Sequence, residues 1–522
     1  MSELMMFVGG TGTQADRTEY PGVCTRNRFE SVGLSSIMGA NGAPLASELV
    51  TGDSVAVSLG VAVLTSPGSF AGLSLLEMAF RLVDTDGISS PSFYLITSND
   101  NDTVTFSASS IDGGGTVFDG ENLTWSIGGA GGAGGAFGTS LGIEVANDEV
   151  AGYGSLNSWE VLHNLSESAT AAQTLDAGCS ALDRIVFTGC IYDPSVVANN
   201  FVRALEVYDM PFIAMGANIL TISGIMLKFR SFSITSSVAS VYGVAVIVSG
   251  AKCLFEYNKV NQTDDDAYGH EALKITGAGT IARCNYIENA VTRGSNGGAA
   301  IGTTVNSKIL DNFIVSAEAG IVASLGYMTT EIRGNIIVGN DLGNGIYASG
   351  GHNTRGYDII QNTIHNFLNG ISIPEGPEAN DSNQISIHNN IIWGGDTGTT
   401  VGILYGDSAT SLFFDINNNA IGNCDTDYDT FGDLQIDSKI SLTANPFLNA
   451  GGSYALASDF KLNDTAGGAL CRSAAVPNDL DLDGDQDRWG DVGALQTEPT
   501  GGGGGGGFIQ STTLGRLGIQ EL

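Results

Sequence analysis

The sequence predicts an all-β chain wound into a parallel solenoid, and three observations carry that prediction. Within residues 253–421 an Asn recurs seven times with an aliphatic residue two positions later. The seven are Asn258-Lys259-Val260, Asn285-Tyr286-Ile287, Asn312-Phe313-Ile314, Asn335-Ile336-Ile337, Asn362-Thr363-Ile364, Asn390-Ile391-Ile392 and Asn419-Ala420-Ile421. Successive Asn residues are 27, 27, 23, 27, 28 and 29 positions apart, a period that marks a repeat architecture. Between them a Gly recurs before a β-rich run: Gly243-Val244, Gly320-Ile321, Gly345-Ile346, Gly370-Ile371 and Gly402-Ile403. The repeats are also short of strong helix formers, so each turn holds two or three short strands.

The recurring Asn has a physical reason. A corner between strands often needs a left-handed backbone, which Asn tolerates and β-branched residues do not. Stacked Asn side chains can also bond from coil to coil as an amide ladder. Two residues on, the aliphatic side chain returns to the inner face of its strand. The ladder is therefore structural, and Asn312, Asn335 and Asn362 are expected in one line with Ile314, Ile337 and Ile364 stacked inside.

The repeat resembles the right-handed parallel β-helix family, the pectate-lyase-like group, over about residues 50–496. A second resemblance lies in Ala444-Asn445-Pro446-Phe447, Asp459-Phe460-Lys461-Leu462 and Asp491-Val492-Gly493-Ala494. These are similar to the closing module of many secreted and phage-encoded β-helix proteins, with Asn445 where that module opens on Asp. The module implies how the helix ends and nothing about a reaction.

Taken in order, residues 1–42 have little period and contain Gly9-Gly10, Gly12 and Pro21-Gly22, which suits an N-terminal attachment arm. Residues 43–127 are read as a cap and the first coils. Within them residues 44–50 read as a short helical turn covering an open edge, and residues 52–57 as the first strand. Residues 128–180 open on a Gly-rich run and break the period, with weak helical character at Trp159-Glu160-Val161-Leu162. They are read as a lateral insertion. Residues 181–440 are the main β-helix and residues 441–499 the closing module. Seven consecutive glycines within residues 500–507 form a flexible tether. The last segment, residues 508–522, is an apolar, Gly-interrupted tail expected to dock on a neighbouring chain.

At 522 residues the chain exceeds one ordinary domain, but a solenoid grows by adding coils. Its 21 Lys and Arg against 56 Asp and Glu leave a net charge of −35. That argues against nucleic-acid binding, which needs basic surface. It suits a solvated particle or divalent-cation binding. Seven Cys (24, 179, 190, 253, 284, 424, 471) form no CxxC pair and read as buried thiols. The opening Met1-Ser2-Glu3-Leu4 lacks the basic and apolar regions of a signal peptide. Membrane insertion is not expected, since no 18-residue apolar run exists.

The densest polar cluster is Asp264-Asp265-Asp266-Ala267-Tyr268-Gly269-His270-Glu271 with Lys274. Clustered carboxylates beside His and Lys can serve acid–base cleavage of a polysaccharide or hold Ca²⁺. The competing reading is a solvated acidic corner. No Asp or Arg is recognised in register above or below it, so strong glycan-cleaving activity is not expected. Asp479, Asp481, Asp483, Asp485 and Asp487 match the front of a calcium loop, yet Gly490 stands where the bidentate Glu belongs. Either Ca²⁺ clamps the closing module there or the segment is an acidic turn. No other cofactor is required. His163, His352, His365 and His388 sit at different places relative to the ladder and read as surface or corner residues. Tyr347, Trp393 and Tyr405 are read as solvent-facing, able either to stack on sugars or to pack at a rim.

Three functional readings follow. The first is a structural virion appendage: a spike, fibre or surface-decoration protein of a tailed phage, assembled in the host cytoplasm, that binds a glycan or host surface. The resemblance implies a homo-oligomer, with a trimer favoured, and contacts to other virion proteins through the N-terminal arm and C-terminal tail. A surface polysaccharide is the candidate ligand. The second is an extracellular polysaccharide lyase or glycoside hydrolase, which needs carboxylates from at least two neighbouring coils. The third is a bacterial cell-surface adhesin or filament subunit.

Overall fold

The computed structural model describes residues 27–31, 46–48, 54–58, 61–65, 67–68, 79–84, 93–107, 123–127, 147, 159–163, 167–169, 171–177, 185–192, 201–203, 210, 212–237, 243–263, 271–290, 298–324, 329–349, 356–373, 384–395, 400–405, 413–429, 436–449, 457–472, 474 and 492–494. These residues form a nearly all-β chain whose main body is a parallel β-solenoid. One coil runs through Val244–Val248, Leu254–Glu256 and Lys259–Gln262. The next runs through Glu271–Ile275, Thr280–Arg283 and Tyr286–Asn289. Each strand pairs in parallel with its equivalent one coil later. The first strands of the coils stack into a ten-stranded sheet.

The Asn ladder lies where the spacing places it. Asn258, Asn285, Asn312, Asn335, Asn362, Asn390 and Asn419 are all buried. Asn312 donates its backbone N–H and its side-chain amide to Asn335 Oδ1, at 3.0 and 2.9 Å. Asn335 does the same to Asn362 Oδ1, both at 3.0 Å. Ile314, Ile337 and Ile364 are paired coil to coil and buried.

The corner differs from expectation in one respect. The left-handed residue is the one before each ladder Asn: Tyr257, Cys284, Asp311, Gly334, Gln361, Asn389 and Asn418. With the reversal made one residue earlier, the ladder amide is left to turn inward and bond along the axis.

The Gly-before-aliphatic signal belongs to the same packing. A side chain at Gly345 would meet Ile364 Cγ2 at 2.3 Å, and one at Gly320 would meet Ile337 Cγ2 at 2.3 Å. The isoleucine after the ladder Asn therefore fills space that the facing Gly leaves empty. Truncating Ile337 to Ala empties it at a fully buried position. The expected cost is roughly 2–5 kcal/mol, read by urea unfolding.

Other expectations are corrected. Among the described residues of 43–127 the expected helical turn and first coils are not seen. Ala46–Glu48 is a strand, and the segment forms a seven-stranded antiparallel sheet. Only residues 59–60 join Ser54–Ser58 to Val61–Thr65, and residues 100–102 join Phe93–Asn99 to Thr103–Ser107. Parallel pairing needs a crossover of a dozen or more residues, so these short links enforce hairpins. Asp100 Oδ1 tightens the second link by accepting the N–H groups of Asp102 and Thr103 at 2.8 and 2.7 Å.

Trp159–His163 is a strand rather than weakly helical, and it pairs in parallel with Val186–Tyr192. Aromatic and β-branched residues suit a pleated surface. Part of the span read as a lateral insertion thus runs in the solenoid's sheet. Asn27–Ser31, within the expected arm, pairs in parallel with the same strand.

The closing motifs pack along the solenoid's flank. Phe447, Phe460, Leu462, Val492 and Ala494 cluster with Phe313, Ile336, Ile391 and Ala420 from the outer side of the third strands. Ala494 N–H donates to Thr363 Oγ1 at 3.0 Å, and Gly493 N–H to the Asn389 carbonyl at 2.8 Å. His365 is not a surface residue. It is 8 % exposed and stands edge-on to Phe447 and Phe460. The tether and tail, residues 500–522, lie outside the described residues. Among the described residues Cys253, Cys284 and Cys471 are buried and Cys424 is half-buried. No helix among the described residues is long and apolar enough to cross a membrane.

Candidate functional site

The sequence-predicted residues are only partly within the described chain. Asp264, Asp265, Asp266 and His270 lie outside it, as do Asp479, Asp481, Asp483, Asp485 and Asp487. Glu271 opens a first strand and is ion-paired with Lys274 at 2.9 Å, its carboxyl occupying the space a side chain at Gly302 would need. Among the described residues no three His, Cys, Asp or Glu side chains converge as a metal site. Tyr405 is corrected: it points inward and is 3 % exposed. Trp393 packs against the closing module's apolar cluster. Tyr347 is half-buried, in register with Val322 and Ser372 on the first-strand sheet.

A different set of charged residues stands on the outer face of the second strands. Alternation sends Phe255, Ala282, Ile309, Ile332, Ile359, Ile387 and Ile416 into the core and their neighbours outward. Four residues before the ladder Asn, the register runs Ile281, Lys308, Glu331, Asp358, Ser386, Asp415. Two residues before it, the register runs Arg230, Glu256, Arg283, Leu310, Arg333, Ile360, His388, Asn417. Successive strands lie about 4.7–4.9 Å apart. Polar groups thus recur at coil spacing along one face.

The ladder begins buried and opens toward solvent. Lys228 Nζ and Arg283 Nη2 grip the Glu256 carboxyl at 2.5 and 2.7 Å. Burial works against the charge on Glu256, but Lys228, Arg283 and Arg230 outweigh it and hold the carboxyl below the usual range. Arg230 is anchored in turn by Nε donating to Thr188 Oγ1 at 2.9 Å. The side chains of Lys228 and Glu256 are 2 % and 1 % exposed, whereas those of Arg283, Lys308 and Arg333 are 42 %, 55 % and 37 % exposed. The first group is structural, and the second can meet a ligand.

In the open part, Glu331 bonds Lys308 Nζ at 2.7 Å and Arg333 Nε at 3.3 Å. Asp311 stands at the adjoining corner, where burial pushes its carboxyl up to about 6 against the pull of Arg333 and Arg283. Asp358 is also raised, chiefly by burial, although the Ser386 hydrogen bond and the His388 and Lys308 charges pull the other way. His388 Nε2 lies 3.1 Å from Asp415 Oδ2 and 2.9 Å from the Asp415 carbonyl oxygen. His388 therefore belongs to this face and is not an isolated corner residue.

Carboxylates on neighbouring coils do stack here. This face supplies the carboxylates on neighbouring coils that were not recognised around residues 264–271. The signal was present in the sequence: once the repeats are aligned on the ladder Asn, the positions four and two residues earlier show the charges as columns.

The coils define a parallel β-helix carrying a charged ladder on one sheet. No protein-family model matches the chain, and no curated protein matches it. Among solved structures it is similar in shape to pectate lyase Pel9A, at 12 % identity and a TM-score of 0.42, over 65 % of this chain and 88 % of that one. It is also similar to the PL6 family alginate lyase AlyGC, at 12 % identity and a TM-score of 0.29, over 64 % and 58 % of the two chains. A third is the enzymatically active domain of bacteriophage CBA120 tailspike protein 2, at 9 % identity and a TM-score of 0.26, over 66 % and 52 %. These are likenesses of shape, and no chemistry is transferred from them.

Proposed function

We propose that the protein is a polysaccharide-binding β-helix whose binding face is the charged ladder of the second strands. The observation that carries this reading is the register: Lys308, Glu331 and Asp358 at equivalent positions of consecutive coils, flanked by Arg333 and His388. A chain-like ligand laid along the axis meets donors and acceptors repeated at a constant rise. Glycan hydroxyls and acidic groups both suit such a set, because hydrogen bonds to charged partners contribute about 1.5–3 kcal/mol each. The setting that fits a solvated chain with a net charge of −35 is a spike or fibre on a virus particle.

The test is retention of the purified chain on immobilised polysaccharides drawn from many surfaces. At least one polymer should retain it, and Lys308→Ala with Arg333→Ala should weaken retention about tenfold or more while circular dichroism stays unchanged. Retention on no polymer, or equal retention by the double variant, contradicts the reading.

A further inference from the structure

Resting on the reading of this face as a polysaccharide-binding surface, we propose that Arg283 and Arg333 hold an anionic group of the ligand, a carboxylate or a sulfate, and that Asp311 is its built-in competitor, so that binding is coupled to proton uptake by Asp311. Three placements support this. Arg283 and Arg333 occupy the same register column two coils apart, with Leu310 between them. Asp311 follows Leu310 at the left-handed corner, where its N–H donates to the Arg333 carbonyl at 2.9 Å. Its carboxyl lies over Gly334 of the next coil: a side chain there would meet Asp311 Oδ1 at 2.2 Å. Gly334 thus leaves the space that the Asp311 carboxyl fills, at the corner that follows the arginine column.

The groups acting on Asp311 set the sign. Arg333 and Arg283 favour its charge, while burial and Glu331 oppose it. Cys284, from the preceding coil, also interacts with Asp311, but its thiol is pushed well above its ordinary value, chiefly by burial, and does not titrate in the same window. With the Asp311 carboxyl near 6, it is ionised at neutral pH and adds a negative charge beside two guanidiniums already paired with Glu256 and Glu331. Below that it takes up a proton, and the negative charge that repels an anionic ligand at the two guanidiniums falls by one. An anionic ligand is then better bound in acid, and ligand binding itself draws a proton onto Asp311. In a chain with 21 basic residues against 56 acidic ones, such a site is a local exception to the prevailing field.

Asp311→Asn removes the charge and keeps the shape. Asn already occupies the same left-handed corner at Asn389 and Asn418, so the variant suits the backbone. A thermal melt confirms folding, and the variant should be at least as stable as the parent at neutral pH. The folded-state carboxyl is raised, so its contribution is present in acid and lost as pH rises through about 6.

The binding probe is dextran sulfate, with neutral dextran for comparison, titrated at about pH 7.5 and about pH 5, either side of that carboxyl's midpoint. The parent should bind dextran sulfate about tenfold more tightly at the lower pH, beyond any slope shared with the variant. Asp311→Asn should bind at the acid-form level at both, and Arg333→Gln should lose most of the binding. An unchanged pH slope in Asp311→Asn overturns the coupling and leaves polysaccharide binding standing. Retention of neutral polymers alone overturns the anionic ligand. Retention of no polymer at either pH removes the proposed function and this inference together.

Discussion

Replacing Asn335 by leucine should cost about 3–6 kcal/mol of folding stability, the largest single-residue effect expected in the solenoid. Leucine is close to Asn in size, so the loss comes from hydrogen bonding rather than volume. Asn335 Oδ1 accepts both the backbone N–H and the amide of Asn312. Its own amide donates to the carbonyls of Ile309 and Arg333 and to Asn362 Oδ1, at 2.9, 3.1 and 3.0 Å. All of this lies at a fully buried position, and each buried group left without a partner costs about 1–3 kcal/mol. Coils interact only with their neighbours, so the break should also loosen the solenoid locally. Hydrogen exchange should rise first at Asn312 and Asn362. A loss below about 1 kcal/mol in urea unfolding would show that the amide ladder is not a principal bond between coils.

The second large effect belongs to Glu256→Gln, expected to cost about 3–5 kcal/mol. Lys228 lies almost wholly buried against this carboxyl, and neutralising the anion strands its charge. The pH dependence separates this cause from packing. The Glu256 carboxyl is held below its ordinary range, so its contribution is present above the unfolded value and fades as pH falls through the folded one. The parent should lose stability steeply in acid, and the variant should show a shallower acid limb. Parallel acid limbs would mean that the triad of Lys228, Glu256 and Arg283 is not the source.

Much of the fold was legible because one packing contact writes two signals into the chain. The ladder Asn sets the register, and the isoleucine two residues on requires the facing Gly, as Ile364 requires Gly345. The corner was misassigned by one residue because the left-handed position tolerates Tyr257, Cys284, Asp311 and Gln361 as well as Gly334 and Asn389. No single residue type announces it. The antiparallel sheet at residues 46–127 was missed because strand content was read without the length of the links between strands.

The candidate site was illegible for a related reason. A local search finds runs such as Asp264 to Asp266, whereas Lys308, Glu331 and Asp358 are more than twenty residues apart and become neighbours only through coil pairing. His388 looked isolated because its partner, Asp415, belongs to the next coil. The inward turn of Tyr405 follows from the Gly402-Ile403 signal itself, since Tyr405 stands two residues after Ile403 on the same face of its strand.

The most direct test of the charged ladder as the binding face is side-chain footprinting by mass spectrometry with a retained polysaccharide bound. Lysine and carboxyl labelling should be suppressed at Lys308, Glu331 and Asp358, while Lys274 on the first-strand sheet continues to label. Protection of Lys274 with unchanged labelling at Lys308 and Asp358 would contradict the account and move the binding face to the sheet that carries Tyr347.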